Sequence, residues 1–299
     1  MTVKISQRVP HPSARMTACP VCGSSDLGSR PERLRDSDTV GVLECRICRH
    51  VFLDDFSHVD ETYYPKGAIL ENKPFVSSLD ERLRHYRLEN EKRKRWLSSL
   101  IINKRVLDFG CGNGQLLEML RPYAKTVEGV EPTVAFREEL SKRGVKVWPD
   151  LNEQMGQYDF IYSINAFEHI PNPVEELSKL RNCLAPNGLV FLEVPNLNNA
   201  LVTLYGHPEA TRFHYFLHHL HYYSRQSLTT LIERSGFVVD AIKGYQRFGL
   251  ANHLYWLSKD KPGGHGLWSF LENEELNASY ERALASVDLT DALVAQIRA

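Results

Sequence analysis

The sequence has no long hydrophobic run, no excess of charge of either sign and no internal repeat. No stretch of about 18 uncharged apolar residues occurs, so no membrane-spanning helix is expected. Lys plus Arg number 36 and Asp plus Glu number 37, and the net charge of -1 gives no general attraction to nucleic acid or anionic membrane. The N-terminus has neither the apolar centre of a signal peptide nor the Arg and Ser bias of a transit peptide. We therefore expect a cytoplasmic protein with neither membrane nor nucleic acid as a partner.

Cysteine is scarce, but four of the six cysteines form two C-x-x-C turns. The turns are Cys19-Pro-Val-Cys22 and Cys45-Arg-Ile-Cys48, with 22 residues between them. Two such turns can bring four thiolates to one ion, and close pairs suit metal ligation in a reducing compartment better than disulfides. Four thiolates leave no open position for a catalytic water, so the sequence predicts a structural zinc ion held by all four cysteines. Free or redox-active cysteines are the alternative, and His50, two residues past Cys48, could replace one cysteine as a ligand, although a lone histidine at such a place is more often a bystander.

Apolar runs alternate with amphipathic stretches through the middle of the chain. Runs such as Arg105–Phe109, Thr126–Val130 and Leu189–Val194 are separated by stretches with helical periodicity. Strands that alternate with helices predict an α/β fold with a parallel sheet covered on both faces. Upstream, the stretch DERLRHYRLENEKRKRWLSSLI contains neither Gly nor Pro and predicts a helix.

The chain of 299 residues is long enough for about two domains. The cysteine segment has a low apolar content and is expected to need a metal to fold. The tail has apolar positions suited to packing on its own domain or in a homodimer. We divide the chain into a disordered terminus (1–17), a zinc-ribbon-like module (18–60), a connecting helical segment (61–103), an α/β domain (104–260) with an aromatic and histidine-rich insert (198–223), and a helical tail (261–299).

The segment Val106-Leu-Asp-Phe-Gly-Cys-Gly-Asn-Gly114 is the most informative in the chain. An apolar strand ends in a carboxylate, a glycine-rich turn follows, and a helix begins, an arrangement that lets backbone approach a ligand closely. The third glycine follows the second by two residues, which departs from the dinucleotide fingerprint G-x-G-x-x-G. A second strand ends at Glu131, 21 residues after Gly110, where an acid can accept hydrogen bonds from both ribose hydroxyls.

These motifs resemble those of the class I S-adenosylmethionine-dependent methyltransferases. The family's first motif reads much like LDFGCGNG, and its second strand ends in an acid, as in VEGVEP. Its fourth and fifth strands with their loops are similar to YDFIYSINAFEHIPNP and NGLVFLEVPN. The resemblance covers about half of the chain and implies a Rossmann-like, doubly wound sheet of about seven strands.

The resemblance implies S-adenosyl-L-methionine as the cofactor. The glycine loop would line its methionine part, with Asp108 near the amino group, often through water, while Glu131 would bind the ribose. Asp150 would lie beside the adenine amino group, or instead cap a helix that begins at Leu151. Asn165 lies in the loop after the fourth strand and is assigned to the same pocket. The predicted cofactor-binding residues are Asp108, Gly110, Cys111, Gly112, Gly114, Glu131, Asp150 and Asn165.

Glu168 and His169 are the first catalytic candidates, because their loop opens at the carboxyl edge of the sheet, where ligands bind in such folds. His169 could take a proton from the acceptor, with Glu168 orienting it or contacting substrate. The alternative is that this pair shapes the cofactor pocket. Tyr63 and Tyr64 could cover the cofactor or could simply pack.

The insert residues 212–223, RFHYFLHHLHYY, supply a second group of candidates. We expect a lid whose Tyr and His side chains touch the acceptor, and we assign catalytic candidates to His221 and Tyr223 at its end. If the insert is helical, His214 and His218 share a face, but a metal site there lacks a nearby carboxylate. Core packing is the remaining interpretation.

The order of zinc module, Rossmann-like domain and insert resembles bacterial methyltransferases that modify nucleotide-linked sugars, polysaccharides or natural products. We expect methyl transfer to a small-molecule or sugar-nucleotide acceptor. Some similar enzymes carry a further large C-terminal domain and methylate carbon, and since 299 residues leave no room for it, we expect O-methylation. The alternatives are an RNA methyltransferase, with phosphate held by the basic helix, and a non-catalytic zinc- and cofactor-binding module. An Asn-Pro-Pro-Tyr type motif for base methylation is absent from the sequence.

Overall fold

The computed structural model describes residues 15–60, 62–66, 79–152 and 155–299. Most of the terminus predicted to be disordered, 1–17, lies outside these residues. The strands are β1 (Leu27–Arg30), β2 (Val42–Cys45), β3 (Val51–Leu53), β4 (Arg105–Phe109), β5 (Thr126–Val130), β6 (Val147–Trp148), β7 (Tyr158–Ile164), β8 (Leu184–Pro195), β9 (His221–Tyr222), β10 (Val238–Tyr245) and β11 (Ala292–Arg298).

The helices lie between these strands and are short, except for the one that precedes the main sheet. They are α1 (Leu79–Leu100), α2 (Gln115–Leu120), α3 (Val134–Lys142), α4 (Pro173–Asn182), α5 (Ala200–Thr203), α6 (Pro208–His214), α7 (Arg225–Arg234), α8 (Leu250–Lys259), α9 (Gly264–Leu267) and α10 (Glu274–Ser286), with 3-10 turns at Phe167–His169 and Ser269–Leu271. Helix α1 confirms the helix predicted upstream of the sheet. Within the described part of the chain, no helix is both long and apolar enough to cross a membrane.

The main sheet has seven strands in the order β10-β11-β8-β7-β4-β5-β6. The five strands from β8 to β6 are parallel, and β11 pairs antiparallel with both β8 and β10. Strand β4 is the middle one of the five parallel strands, and its residues from Val106 to Phe109 are buried, as expected for a strand covered on both faces. This confirms the Rossmann-like α/β fold, and it places the carboxyl ends of β4, β5 and β7 at one edge of the sheet.

The cysteine segment forms a second, antiparallel sheet in the order β1-β2-β3-β9. Its fourth strand comes from the insert of the α/β domain, with Val51 opposite Tyr222 and Phe52 opposite His221. The buried residues of both units form one continuous hydrophobic cluster, from Val51 and Phe52 to Leu192 and Val194 of β8. The N-terminal module is therefore built into the domain and does not stand apart on a linker.

The tail, 261–299, differs in part from the helical prediction. Helix α10 begins after Asn273, whose side chain accepts a hydrogen bond from the Leu276 amide as an N-cap. The last residues, however, form β11, which fills the position between β8 and β10 in the sheet. The side chains of Leu293 and Ile297 are fully buried there. The tail therefore packs on its own domain, and the prediction that it is helical throughout was wrong.

Candidate active site

The glycine loop joins β4 to α2 and is held against the ends of two neighbouring strands. The amides of Gly110 and Cys111 both donate to the Val130 carbonyl, at 2.9 and 3.0 Å. Gly110 has φ +82°, and a Cβ there would lie 2.7 Å from the Cβ of Ala166 in the loop after β7. The loop after β4 and the loop after β7 are thus in contact, and only glycine fits between them.

The rest of the loop presents backbone to the sheet edge. Gly114 has φ +72° and precedes α2, where a Cβ would meet Leu140 at 2.2 Å. The Cys111 sulfur lies close to Gly129, and burial raises the pKa of this thiol above its usual range. Cys111 therefore contributes its backbone to the loop, while its thiol packs against β5. Together with Gly112 these residues form a glycine-rich loop at the sheet edge, called the glycine cradle below.

Glu131 lies at the end of β5 and faces this loop. One carboxylate oxygen accepts the Gly112 amide at 2.8 Å and the other accepts the Thr133 amide at 2.8 Å. The residue is 6% exposed. An anionic carboxylate held by two amides at the rim of a glycine cradle is suited to accept hydrogen bonds from vicinal hydroxyls.

Asp108, the last-but-one residue of β4, is buried beneath the loop at 4% exposure. The Tyr162 hydroxyl donates to Oδ2 at 2.8 Å. Burial raises the pKa of Asp108 to about 7, the neighbouring Glu131 charge also raises it, and the Tyr162 hydrogen bond only partly opposes them. The carboxyl group is thus poised to ionise when a cation comes near.

The two other predicted cofactor residues, Asn165 and Asp150, lie outside the glycine loop and differ from each other in burial. Asn165 directly follows β7 with φ +49°, donates its amide to the Glu193 carbonyl at 2.9 Å, and has a buried Oδ1 without a hydrogen-bond partner. Asp150 is exposed, and the described residues that follow it, Leu151 and Asn152, are not helical. The alternative of a helix cap at Asp150 is therefore wrong, and its side chain lies at the open rim of the sheet edge.

Glu168 is the centre of the second part of the site. It lies on the 3-10 turn after β7, is 1% exposed, and neither carboxylate oxygen has a hydrogen-bond partner. Two imidazole nitrogens face Oε1, each at 3.9 Å: Nε2 of His169 and Nε2 of His219. The three side chains form a compact group whose ligand atoms all lie within 4.8 Å of one another.

Hydrogen bonds from neighbouring segments orient this group. The Nδ1 atom of His169 lies 2.5 Å from the His218 carbonyl, which can only accept, so Nδ1 carries the proton and Nε2 is the basic nitrogen. The Tyr64 hydroxyl donates to the His169 carbonyl at 2.6 Å, and the Tyr63 hydroxyl is hydrogen-bonded to His218. Tyr64 therefore packs on the loop that carries His169 and Tyr63 packs on the insert, while the covering of the cofactor by these tyrosines stays a prediction.

His221 and Tyr223 lie outside this group. His221 is fully buried and both ring nitrogens are hydrogen-bonded, to His50 and to the Ile170 carbonyl, and burial lowers its pKa to about 3. The Tyr223 hydroxyl donates to the Phe167 carbonyl at 3.3 Å inside the core. Neither can exchange a proton with an acceptor in this arrangement, which corrects their assignment as catalytic candidates. His219, which the sequence did not single out, belongs to the group around Glu168, and burial lowers the pKa of its imidazole well below the usual range.

Burial raises the pKa of Glu168 to about 8, from the value of 4.5 typical of an exposed glutamate. The folded protein therefore holds a proton that the unfolded chain releases between these two values, and its stability must fall as pH rises through that window. Each unit of pKa shift corresponds to about 1.4 kcal/mol, so the loss is on the order of 5 kcal/mol. Glu168→Gln is expected to lack this contribution. Chemical denaturation at several pH values should show a smaller decline for this variant, and an identical decline would contradict the raised pKa.

The four cysteines of the two C-x-x-C turns converge in the N-terminal module. Their sulfurs all lie within 4.8 Å of one another, with Cys19 Sγ 3.6 Å from Cys48 Sγ and Cys22 Sγ 3.4 Å from Cys45 Sγ. The Cys22 amide points to the Cys19 sulfur, and Gly23 closes the first turn with φ +79°. Four convergent thiols braced by backbone amides fit a tetrahedral zinc ion.

The sheet order, glycine cradle and acid at the end of β5 define a class I S-adenosylmethionine-dependent methyltransferase. A family model described as a methyltransferase domain matches residues 77–242. The chain belongs to this methyltransferase family, and the predicted class is confirmed.

Individual relatives differ in the acceptors that their names give. The chain is 30% identical over 257 residues to "C-methyltransferase NovU" of Streptomyces niveus, covering 74% of this chain and 56% of that protein. It is 33% identical over 122 residues to "Ubiquinone biosynthesis O-methyltransferase" of Dechloromonas aromatica, covering 36% of this chain and 53% of that protein. A structure of a methyltransferase from Archaeoglobus fulgidus, 18% identical, superposes with a TM-score of 0.48 over 71% of this chain and 94% of that one. The chain spans about half the length of the curated relatives it matches.

Proposed function

We propose that this chain transfers the methyl group of S-adenosylmethionine to an oxygen of a small-molecule or sugar acceptor, such as a nucleotide-linked sugar. The observation that carries the proposal is the group of Glu168, His169 and His219, which lies beside the glycine cradle because Ala166 touches Gly110. A proton-accepting group next to a methyl-donor site is what an acceptor hydroxyl requires. Nucleic acid and membrane are not expected as partners.

The residues of the cradle fit the cofactor, which when bound supplies an electrophilic methyl group on a sulfonium. Glu131 would accept hydrogen bonds from the ribose hydroxyls, and the loop from Gly110 to Gly114 would line the methionine part. Asp108 would lie near the ammonium group, and Asn165 would offer its unpartnered Oδ1 to the pocket. Asp150 would reach the adenine only from the exposed rim. Positioning of this kind can supply about 7 to 11 kcal/mol of rate enhancement.

Proton transfer is assigned to the two imidazoles. A hydroxyl placed between the cradle and the 3-10 turn would give its proton to Nε2 of His169 or of His219 as its oxygen attacks the methyl carbon. Above its pKa of about 8 Glu168 is already ionised, and its carboxylate would then stabilise the imidazolium that forms when the imidazole takes the acceptor proton. General-base catalysis of this kind is typically worth about 10² to 10⁴ in rate.

The fit of the four thiols supports a structural zinc ion held by Cys19, Cys22, Cys45 and Cys48. None of the six cysteines, all of them among the described residues, forms a disulfide, and a reducing compartment such as the cytoplasm is part of the proposal.

RNA methylation is not favoured. The basic stretch of α1 would have to hold phosphate without Arg93, whose guanidinium is buried and already paired with Glu193 and Glu89. A buried, paired charge is not available to a polyanion.

The cofactor affinity should depend on pH in a defined direction. Because Asp108 has a pKa raised to about 7 and the ligand brings an ammonium group, binding of S-adenosylhomocysteine should expel the proton of Asp108. Affinity is expected to rise by about tenfold or more from about pH 5 to 7 and then level off. Titration calorimetry in two buffers measures the released proton. The Asp108→Asn variant should release none, and equal pH dependence in both proteins would refute this role.

The acceptor is tested by incubating the protein with methyl-labelled S-adenosylmethionine and panels of sugar nucleotides, phenols and RNA. A methyl signal at the chemical shift of a methoxy carbon in a small-molecule product supports O-methylation. Label on a carbon of the product, or in RNA, refutes this choice of acceptor. The His219→Ala variant should bind cofactor as wild type does but transfer at least about 100-fold more slowly.

A further inference from the structure

We propose that His50 of the N-terminal module is a positioning residue for the active site. Through hydrogen bonds, it makes the conformation of the loop that carries Glu168 and His169 depend on the folded four-cysteine cluster. The inference concerns how the chain holds this loop, and its link to catalysis rests on the function proposed above. Two independent connections run from the module to the loop.

The first connection is a chain of hydrogen bonds through two buried imidazoles. Nε2 of His50 lies 3.0 Å from Nδ1 of His221, and Nε2 of His221 lies 2.8 Å from the Ile170 carbonyl. A carbonyl only accepts, so the proton of His221 must be on Nε2. Its Nδ1 then accepts from Nε2 of His50, because two neutral, fully buried imidazoles share one hydrogen bond in only that direction. The donor and the acceptor of both hydrogen bonds are thus assigned. The series of hydrogen bonds ends at Ile170, one residue after His169.

The second connection is made of backbone. Leu220 uses both of its peptide groups: its carbonyl accepts the Leu53 amide of β3 at 3.0 Å, and its amide donates to the Glu168 carbonyl at 2.8 Å. His219 and His221 flank Leu220 in sequence. The strand β9 therefore lies between the module and the catalytic turn and is hydrogen-bonded to both.

His50 is fixed at the other end by the second cysteine turn. Its carbonyl accepts the Cys45 amide at 2.8 Å, and Arg49 takes up a left-handed conformation, φ +60°, between Cys48 and His50. The imidazole stacks on Phe52, with ring centroids 5.6 Å apart. A displacement of the cysteine turn would therefore move the Nε2 atom of His50, the first donor in this series of hydrogen bonds.

Packing alone does not explain the choice of residue. A buried polar ring costs free energy unless it is hydrogen-bonded, and an apolar side chain of similar size would fill the same space without that cost. Hydrogen bonds add direction, which apolar contact lacks. The hydrogen bond from His221 fixes the orientation of the Ile170 carbonyl. Because His169 precedes Ile170 in sequence, the position of its backbone is fixed as well.

The proposal is tested with His50→Leu, which keeps the volume but removes the donor, and His50→Gln, whose amide nitrogen can replace Nε2. Arg46→Ala serves as the control, because Arg46 lies on the same cysteine turn but its side chain is 64% exposed. Hydrogen-exchange mass spectrometry of the full chain compares the segments 166–171 and 217–222 with the glycine loop. Zinc content and S-adenosylhomocysteine affinity are measured on the same samples.

We expect His50→Leu to exchange at least about tenfold faster in these two segments, with zinc content and ligand affinity unchanged. His50→Gln and Arg46→Ala should behave as wild type. Unchanged exchange in His50→Leu would overturn the proposal, and so would equal disturbance in the Gln variant, which would point to shape and not to the hydrogen bond. Failure of wild-type protein to bind the ligand would count against the proposed function and leave the exchange comparison intact.

A measurement on wild-type protein covers the case in which His50→Leu does not fold. With ¹⁵N-labelled histidine, a resolved coupling between Nε2 of His50 and Nδ1 of His221 is expected across the hydrogen bond. Protonation of His221 on Nδ1 in that spectrum would refute the chain.

Discussion

Replacing Glu131 with alanine is expected to weaken S-adenosylhomocysteine binding by about 100-fold or more. A hydrogen bond to a charged group contributes about 1.5 to 3 kcal/mol, and two ribose hydroxyls would each lose one. The loss of two such bonds exceeds the roughly 2.7 kcal/mol that corresponds to a factor of 100. The variant also frees the amides of Gly112 and Thr133, which the carboxylate accepts in the structure, so the cradle itself loses a brace.

Titration calorimetry measures this effect directly. Glu139→Ala is the matched control, because it removes the same charge from the exposed side of α3, where the Glu139 side chain is 59% exposed. The control should bind within about twofold of wild type, since exposed charges contribute little. Equal affinity in Glu131→Ala and Glu139→Ala would remove Glu131 from the cofactor site and with it the main support for the assigned pocket.

The cofactor side of the site could be predicted from sequence because its residues lie at the ends of consecutive strands. In a doubly wound sheet the carboxyl ends of neighbouring parallel strands meet at one edge, so Asp108, Gly110 and Glu131 come together whatever the rest of the chain does. The order and spacing of these residues in the sequence are therefore enough to predict that they lie together. Asp150 follows the two-residue strand β6 at the outer end of the sheet, where such reasoning has least support, and the structure places it on the exposed rim.

The acceptor side could not be predicted in the same way. Four histidines lie between His214 and His221, and the sequence has no local feature that separates them. Which of them faces Glu168 is decided by the pairing of β9 with β3, a contact between residues about 170 positions apart. That pairing buries His221 against the module and leaves His219 directed at Glu168.

The tail shows the same limit for a strand. Residues 292–298, ALVAQIR, contain a short apolar run that is compatible with a strand or a buried helix. The position between β8 and β10 favours the strand, because four of its side chains are fully buried there: Ala292, Leu293, Ala295 and Ile297. Local periodicity cannot reveal a vacant position in a sheet whose other strands lie far away in the chain.

Replacing Cys45 with serine is expected to remove the metal and unfold the N-terminal module. Cys45 is fully buried among the other three thiols, and a hydroxyl does not replace a thiolate on zinc. Structural zinc contributes about 10 to 16 kcal/mol in small zinc-dependent folds, far more than a segment of this size gains from its core. The melting temperature of the whole chain should fall by about 10 °C or more, because β3 pairs with β9 and the buried cores of the two units are continuous.

Cys183→Ser separates the loss of metal from the cost of replacing a buried thiol. Cys183 is 8% exposed, lies outside the cluster, and should lose only about 1 kcal/mol, with one equivalent of zinc retained by mass spectrometry. If Cys45→Ser kept both its zinc and its melting temperature, the four-cysteine site would be refuted as a structural centre. If zinc were lost but the melting temperature hardly changed, the module would fold on its own hydrophobic core. The pairing of β3 with β9 would then depend on the α/β domain and not on the metal. The structure argues for loss of both the zinc and the fold of the module, since the turns that place Cys45 and Cys48 also place β2, β3 and His50.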